Sequence, residues 1–538
     1  MLMNREFEGT KFRYPTPLLD SICFRFFAKC EEARVHGWFR SRLIVISEER
    51  PLQKSGAFVP RGCVESLSTS HGQRFPCTSR SASTPKGNSM ANTVTNWFGD
   101  IVSHPAVVVD ANSVDDIVRV IKDPATYPSP VRAVGSNHST AACGTADGGT
   151  LIRMKMNRIL NIGADSLTVE AGAVHLAMAK ALEAKGLQFY VNTEIGNLSA
   201  GSAAIAGTKD ASFPGEYGQV GSYITGMKMV LASGELMEVT EDTNPQLMQI
   251  LRSSYGLLGI VYEVTYKIKP LTPMHVHHTT YSLKDFIAAL PDFKPLGYST
   301  MYYMFPFTDK ITVEFRKDNP GATGEPNHFA FQSRNETWGV VGPKLGYHLE
   351  ENCSNPAIRY SMIDALHGAW RSQLENIVCG DYTVPPDQII DYPLVSNDSR
   401  YTFSLFAFPE ADYPAAITEF YKFCNDYYKQ KAYRSNLLYV GYSIAQDQKS
   451  LLSYSYDGPV STIDPVSTAN PGWDAFIDAY NQFCIERNAR PLPNQTPGLT
   501  AAMLRKAYGD KLTTFENTRK QYDPTDRLLN DYFRTLLS

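Results

Sequence analysis

The stretch "VRAVGSNHST", Val131 to Thr140, constrains this chain more than any other. A short apolar strand runs into three small residues and then a histidine. Gly135, Ser136 and Asn137 offer several backbone N–H groups with little side-chain bulk, which suits an anion-binding concavity. A Rossmann turn would need a glycine fingerprint that opens a helix. Here "GSNHSTAACGTADGG" continues as a polar loop without helical periodicity and then becomes another strand. A phosphate-cradling turn with no helix behind it disfavours the Rossmann fold and calls for a different one.

The surrounding pattern alternates α and β. "AVVVD" reads as a strand, and "SVDDIVRVIKD" as a helix with Ser113 as N-cap and acidic residues in its first turn. "GTLIRM" and "SLTVEAG" read as short strands, and "VHLAMAKALEAKGL" as an amphipathic helix ending at Gly186. "YITGMKMVLASGELMEVT" reads as a hairpin turning at "ASGE". "NPQLMQILRSSYG" is a helix with Pro245 in its first turn, and "GIVYEVTYKIKP" a strand closed by Pro270. Beyond Pro270 the composition changes. Aromatic strands such as "STMYYMFPFTDKITVEFRK" and "SNLLYVGYSIAQ" are separated by helical stretches such as "YPAAITEFYKFCNDYYKQ". That predicts a second α+β unit on an antiparallel sheet.

Composition narrows the function class. A net charge of −4 over 538 residues gives no basic field for nucleic acid. The charge is uneven: residues 1–89 hold 14 Lys+Arg against 8 Asp+Glu, and the rest of the chain is acidic. "SLSTSHGQRFPCTSRSASTPKGNS" has the composition of a disordered linker, so residues 1–89 read as an extension. Translation from Met90 is the plainer account of it, and a processed targeting segment the sharper one. The expected location is the cytoplasm, or an organelle if the extension is a targeting segment. The 9 cysteines form no CxxC and are odd in number, which suits isolated reduced thiols. No apolar run reaches the length of a membrane span.

Residues from about Asn96 to Pro270 resemble the FAD-binding domain of the vanillyl-alcohol-oxidase family, the PCMH type. "VGSNHST" resembles its first flavin loop, "LTVEAGA" its strand and turn before a short helix, "GNLSAGSAAIAGT" its second glycine-rich loop, and "SSYGLLGIVYEVTYKIKP" its closing strand. The tail "ARPLPNQTPGLTAAMLRKAYGDKLTTFENTRKQYDPTDRLLNDYFRTLL" is similar to the C-terminus of the aldonolactone and alditol oxidase branch. The resemblance implies an α+β fold of two domains. The FAD-binding domain spans residues 90–270 and is rejoined by 500–538, and an antiparallel-sheet substrate domain covers 271–499. It implies FAD contacts from Gly135, Ser136, Asn137, His138 and Ser139, from Thr193, Ser199, Gly201, Ser202 and Gly207, from Gly259 and Ile260, and from Asn530 near the end of the chain. His138 stands where many members bond to the 8α-methyl of the flavin, and a neutral imidazole is a competent nucleophile near pH 7. An ordinary loop histidine beside non-covalent FAD is the alternative.

The chain departs from that branch at informative places. Where the branch has "RPHWGK" this chain has "RPLPNQ", so Leu492 and Pro493 replace His and Trp, and Gln495 replaces Lys. In "LFAFPE", Leu405 and Glu410 stand for the branch's Glu and Arg. Leu and Pro cannot orient hydroxyls or accept a proton. These losses point away from a sugar lactone or alditol and toward a small, relatively apolar alcohol. The implied reaction is hydride transfer from its C–H to flavin N5, with O2 or another acceptor taking the electrons. A D-arabinono-1,4-lactone-type oxidase and an inactive flavin binder are the alternatives, and Thr193 beside the flavin leaves oxidase and dehydrogenase both open. Candidate catalytic residues are Gln495 and the pair Glu314 and Arg316, which share a strand face in "TVEFRK". For that pair an ion pair within the sheet carries more weight than substrate orientation. "HVHH" puts His275 and His277 on one strand face without further ligands at tetrahedral spacing, so no metal site is expected. The partners expected are a small-molecule substrate and an electron acceptor.

Overall fold

The computed structural model describes residues 92–392 and 397–538, so the extension 1–89 lies outside the described residues. The helix Val114–Lys122 forms where its signals place it. Ser113 accepts a hydrogen bond from the Asp116 amide while the Asp116 carboxylate accepts from the Ser113 amide, a reciprocal cap. Its buried residues Ile117, Val120 and Ile121 share one face. They pack on a small parallel sheet in the order Val107–Ala111, Thr150–Met154, Val131–Val134. The strand that feeds the "GSNHST" turn is therefore an edge strand of this sheet. After the turn comes only the three-residue 3₁₀ segment Ala142–Gly144. The absence of an α-helix there is what the polar loop foretold.

A second sheet of six strands is antiparallel throughout. Its order is Leu236–Thr240, Ile224–Val230, Ile260–Pro270, Ser166–Glu170, Ile159–Ile162, with Leu187–Phe189 also paired to Ile260–Pro270. The hairpin expected at "ASGE" is present, with Gly234 at φ 81° in its turn. The helix His175–Glu183 buries His175, Met178, Ala179 and Leu182, a 3.6-residue stripe. Leu504, Tyr508, Leu512, Phe515, Phe533 and Leu536 of the C-terminal helices join the same hydrophobic cluster as Leu167, Met227 and Val264. The chain thus ends on the core where this sheet sits.

The third sheet has eight antiparallel strands in the order Gly380–Thr383, Met274–Tyr281, Lys310–Asp318, Ser299–Phe305, Tyr439–Ile444, Val460–Ile463, Phe406–Pro409, Arg490–Pro491. All seven residues of Ser299–Phe305 are buried. Tyr302 and Met304 enter a cluster built on the helices Leu283–Phe293, Tyr413–Lys431 and Trp473–Glu486. Met301, Tyr303 and Phe305 enter another with Trp97, Trp338 and Trp370. A strand covered on both faces has no need of a polar face, which explains its unbroken apolar run. Among the described residues, no helix is long and apolar enough to cross a membrane.

His175 illustrates a cost of this packing. Its Nε2 lies 3.3 Å from the Tyr266 hydroxyl, its Nδ1 is buried without a partner, and burial pushes the imidazole down to about 4. Between pH 6.5 and 4 the unfolded chain binds a proton here that the folded chain does not, so this residue makes stability fall as the pH falls. His175→Gln is expected to flatten the pH dependence of the unfolding free energy in that window by up to about 1.4 kcal/mol per pH unit. Denaturant unfolding at several pH values checks this.

Candidate cofactor cleft

Two loops meet at one point. Gly135, at the end of its strand, lies so close to Ser199 that a Cβ on it would sit 2.0 Å from the Ser199 Oγ. Only glycine permits that approach. The Ser136 hydroxyl reinforces it by donating to the Asn197 carbonyl. On the far side, Gly201 donates its amide to the Ala171 carbonyl at 2.8 Å, and a Cβ there would meet the Ala171 Cβ at 2.9 Å. Between the loops opens a cleft with about 1040 Å³ of empty space.

Gly135, Ser136, Asn137, His138, Ser139, Ser199, Gly201, Ser202, Gly259, Ile260 and Gln495 all line the cleft. Three residues expected at the flavin are not on this lining. Thr193 is buried and bonds to the Ile195 carbonyl at 3.4 Å. Gly207 sits against Leu492, while its neighbour Thr208 is the one at the cleft. The Asn530 amide donates to the carbonyls of Ala142 and Thr145 at 3.1 and 2.9 Å, so it braces the turn that follows His138. The Asn530 carbonyl oxygen accepts from the Phe533 amide and caps the last helix.

The turn itself is held from outside. Asn137 adopts φ 55°, its side chain donates to the Thr95 carbonyl at 3.0 Å, and its own carbonyl accepts from the Trp97 amide at 2.7 Å. Asn96 donates to the Ser139 carbonyl at 3.1 Å. The Thr140 amide donates to the Asn494 carbonyl at 3.1 Å, tying the "RPLPNQ" segment to the turn. The His138 imidazole stacks on the Trp97 indole, with ring centroids 5.0 Å apart and planes 22° apart. Its Nε2 is buried and has no hydrogen-bond partner. Burial pushes this imidazole down to about 4, so it is neutral at pH 7.

Arg132 was not expected here. It precedes the turn by three residues and is buried at the base of the cleft. It donates to the carbonyls of Cys143, Tyr255 and Leu528 at 3.1, 2.6 and 3.0 Å, and burial pushes it down to about 10. A buried cation hydrogen-bonded to carbonyls alone favours an anion nearby. The sequence did offer a signal, because a charged residue inside an apolar strand needs a compensating partner. Trp97, too, lay in plain view in "TNWFGD".

Glu314 and Arg316 lie outside the cleft lining. Both side chains are fully buried. Arg316 donates to Asp210 at 2.9 Å and to Glu314 at 2.6 Å. Glu314 also accepts from Tyr303 at 2.8 Å and lies 3.1 Å from His278 Nε2. Burial would raise Glu314, yet Arg316, His278 and Arg334 hold it well below the usual carboxylate range. Arg334 binds Glu194 at 3.0 Å, and Tyr442 donates to the same Glu194 carboxyl. His275 and His277 are 3.1 Å apart through Nε2 and Nδ1, and His275 Nδ1 reaches Asp381 at 2.6 Å.

The cleft fits a dinucleotide with an anionic middle: small residues for close approach, a buried cation at its base and an unpartnered ring nitrogen on its lining. Comparison with known proteins agrees. A family model described as an FAD binding domain matches residues 105–240. L-gulonolactone oxidase of Scyliorhinus torazame is 24% identical over 220 residues, 40% of this chain and 50% of that protein. L-gulono-1,4-lactone dehydrogenase of Mycobacterium tuberculosis is 27% identical over 217 residues, again 40% and 50%. The match thus spans about half the length of these relatives. A cholesterol oxidase from Brevibacterium sterolicum superposes with a TM-score of 0.69 at 16% identity, covering 85% of this chain and 99% of that one. Residues 105–240 thus match an FAD binding domain, on a fold shared with the cholesterol oxidase, and FAD is the cofactor that this match indicates.

Proposed function

We propose that the chain is an FAD-linked oxidoreductase acting on a small, relatively apolar alcohol, with the flavin bonded to His138. The flavin module is residues 90–270 completed by 500–538, and residues 271–499 form the substrate module. When bound, FAD accepts hydride from the alcohol carbon and passes the electrons to O2 or another acceptor. Gly135 to Ser139 and Ser199 to Ser202 would hold the diphosphate region, and Arg132 would supply positive charge to it. In the net tethering reaction a His138 nitrogen bonds to the flavin methyl carbon. One C–H and one imidazole N–H break, and both hydrogens with their electrons reduce dioxygen to hydrogen peroxide. The observation that carries this reading is the neutral His138 ring on the cleft lining, its Nε2 buried without a partner.

The preference for an apolar donor rests on what the polar groups are doing. Leu492 and Pro493 replace groups that could bind hydroxyls. The Arg316 guanidinium binds Asp210 and Glu314. Glu314 and Arg316 brace the sheet in this reading, and Gln495, at the cleft, is the candidate to orient substrate. The sugar-lactone relatives favour a second reading, oxidation of a 1,4-lactone.

Anaerobic bleaching of the yellow protein separates these. Reduction by apolar or aromatic alcohols is the expected result, and reduction by sugar lactones alone would establish the second reading. Bleaching by dithionite but by no organic donor would mean a flavin binder without turnover. Acid precipitation is expected to leave the flavin with the wild-type pellet and to release it from His138→Ala. Gly135→Ala is expected to lower flavin occupancy about tenfold, because the added methyl forces the two loops apart. The flavin-to-protein absorbance ratio, with circular dichroism as the folding control, measures it.

A further inference from the structure

His138 lacks one usual constraint. A histidine with a working role is ordinarily oriented by a hydrogen bond on one ring nitrogen, yet its Nε2 is buried and unpartnered. Its rotation about Cβ–Cγ is broad unless something packs against the ring. The Trp97 indole does so, nearly parallel at 22° and 5.0 Å.

Trp97 is itself fixed from several directions. Its amide donates to the Asn137 carbonyl at 2.7 Å, and its side chain is 8% exposed. Tyr392 and Tyr401 meet it edge-on at 6.0 and 5.7 Å, with interplanar angles of 76° and 66°. The preceding residue, Asn96, grips the other flank of His138 through the Ser139 carbonyl and closes its own turn by accepting from the Gly99 amide at 2.8 Å. One dipeptide thus holds residues 137 and 139 by hydrogen bonds and residue 138 by its ring face. The Trp97 Nε1 is buried without a partner as well, so the indole is placed here by its face, not by its N–H.

We infer that Trp97 is a positioning residue for flavin attachment: its aromatic face sets the plane of the His138 ring and aims the free nitrogen at the cofactor. This rests on the covalent tether proposed above. A ring left free to swing spends little time in line with the flavin methyl, and a misplacement of about 1 Å can cost about a hundredfold in rate. The contribution is orientation, so a flat ring of another kind should serve and a branched aliphatic side chain should not.

The test uses apoprotein of the full chain mixed with FAD in air, and follows acid-stable flavin over time. Trp97→Phe keeps a flat face, while Trp97→Leu fills space without one. The expected result is attachment by Trp97→Phe within about threefold of wild type, and by Trp97→Leu at least about tenfold slower. Total flavin, bound and dissociable together, should stay near one per chain in both, because both keep the residue 97 amide bond to the Asn137 carbonyl and the Asn96 bond to the Ser139 carbonyl that hold the loop backbone. Equal attachment rates for Trp97→Leu and wild type would overturn the role of Trp97 alone. Wild-type protein that binds FAD but never retains it through acid would overturn the tether, and this role with it. Loss of all flavin binding in Trp97→Phe as well as Trp97→Leu would also count against it, by showing that the indole shapes the cleft and not the ring.

Discussion

The approach of Gly135 to Ser199 decides the rest. With 2.0 Å between a would-be Cβ and a hydroxyl oxygen, the loop from the parallel sheet and the loop from the antiparallel sheet touch backbone to side chain. That contact brings two separately built sheets to one cleft. It also explains the order of the elements around it. The first loop hangs from an edge strand of three, and the second follows the pairing of Val174 with Ser199. The C-terminal segment then closes the assembly, since Asn530 and Asn494 both bind the stretch 140–145 that follows His138.

Charge is distributed in two distinct ways. At the base of the cleft, Arg132 is buried, hydrogen-bonded to carbonyls and packed over the Phe533 ring, which leaves its charge without a paired carboxylate among the described residues. Behind the second sheet loop, Asp210, Glu194, Glu314, Arg316 and Arg334 bind one another. Breaking one partner of such a buried set typically costs about 3–5 kcal/mol, whereas the set as a whole adds little net stability. Its value is specificity of placement. Asp210 and Glu194 come from loops next to the cleft, while Arg316 comes from the large sheet and Arg334 from a helix over it. The network therefore fixes the large sheet against the flavin loops.

Much of this was legible in the sequence, and the gaps have physical causes. The helix Val114–Lys122, the hairpin at Gly234 and the strand ending at Pro270 were readable because caps, turn glycines and proline act locally. The helix Ala200–Ile205 was not, since "AGSAAI" has no apolar stripe and is held by the Ala171 and Ala173 carbonyls from another strand end. The cleft glycines and His138 could be read from the order of motifs. The contacts of Gly207 with Leu492 and of Asn530 with Ala142 and Thr145 were not readable, because these partners are distant in sequence. Trp97 escaped notice because an aromatic near a chain's first strand looks like core, and it is core on one edge and stacking surface on its face.

The same distribution of charge bears on the proposed substrate class. Arg316 and Arg334 face the carboxylates of Asp210 and Glu314, while burial raises Glu194 against the pull of Arg334 and favours its protonated form. Lys209 is matched by Asp464 at 2.9 Å. Each buried cation there has an acidic partner, so the region offers an incoming anion no unmatched charge. A carboxylate or phosphate placed against these groups would have to break one of the pairs, at a cost of several kcal/mol. A neutral donor breaks none. A neutral sugar lactone carries several hydroxyls and an ester carbonyl where a neutral apolar alcohol carries one hydroxyl, and satisfying them needs free donors and acceptors near the flavin. From the "RPLPNQ" segment the Asn494 and Gln495 amides line the cleft, while Leu492 is fully buried and fills the place of a polar residue. Two amides on that side suffice to orient one alcohol, and the hydroxyls of a polyol outnumber them.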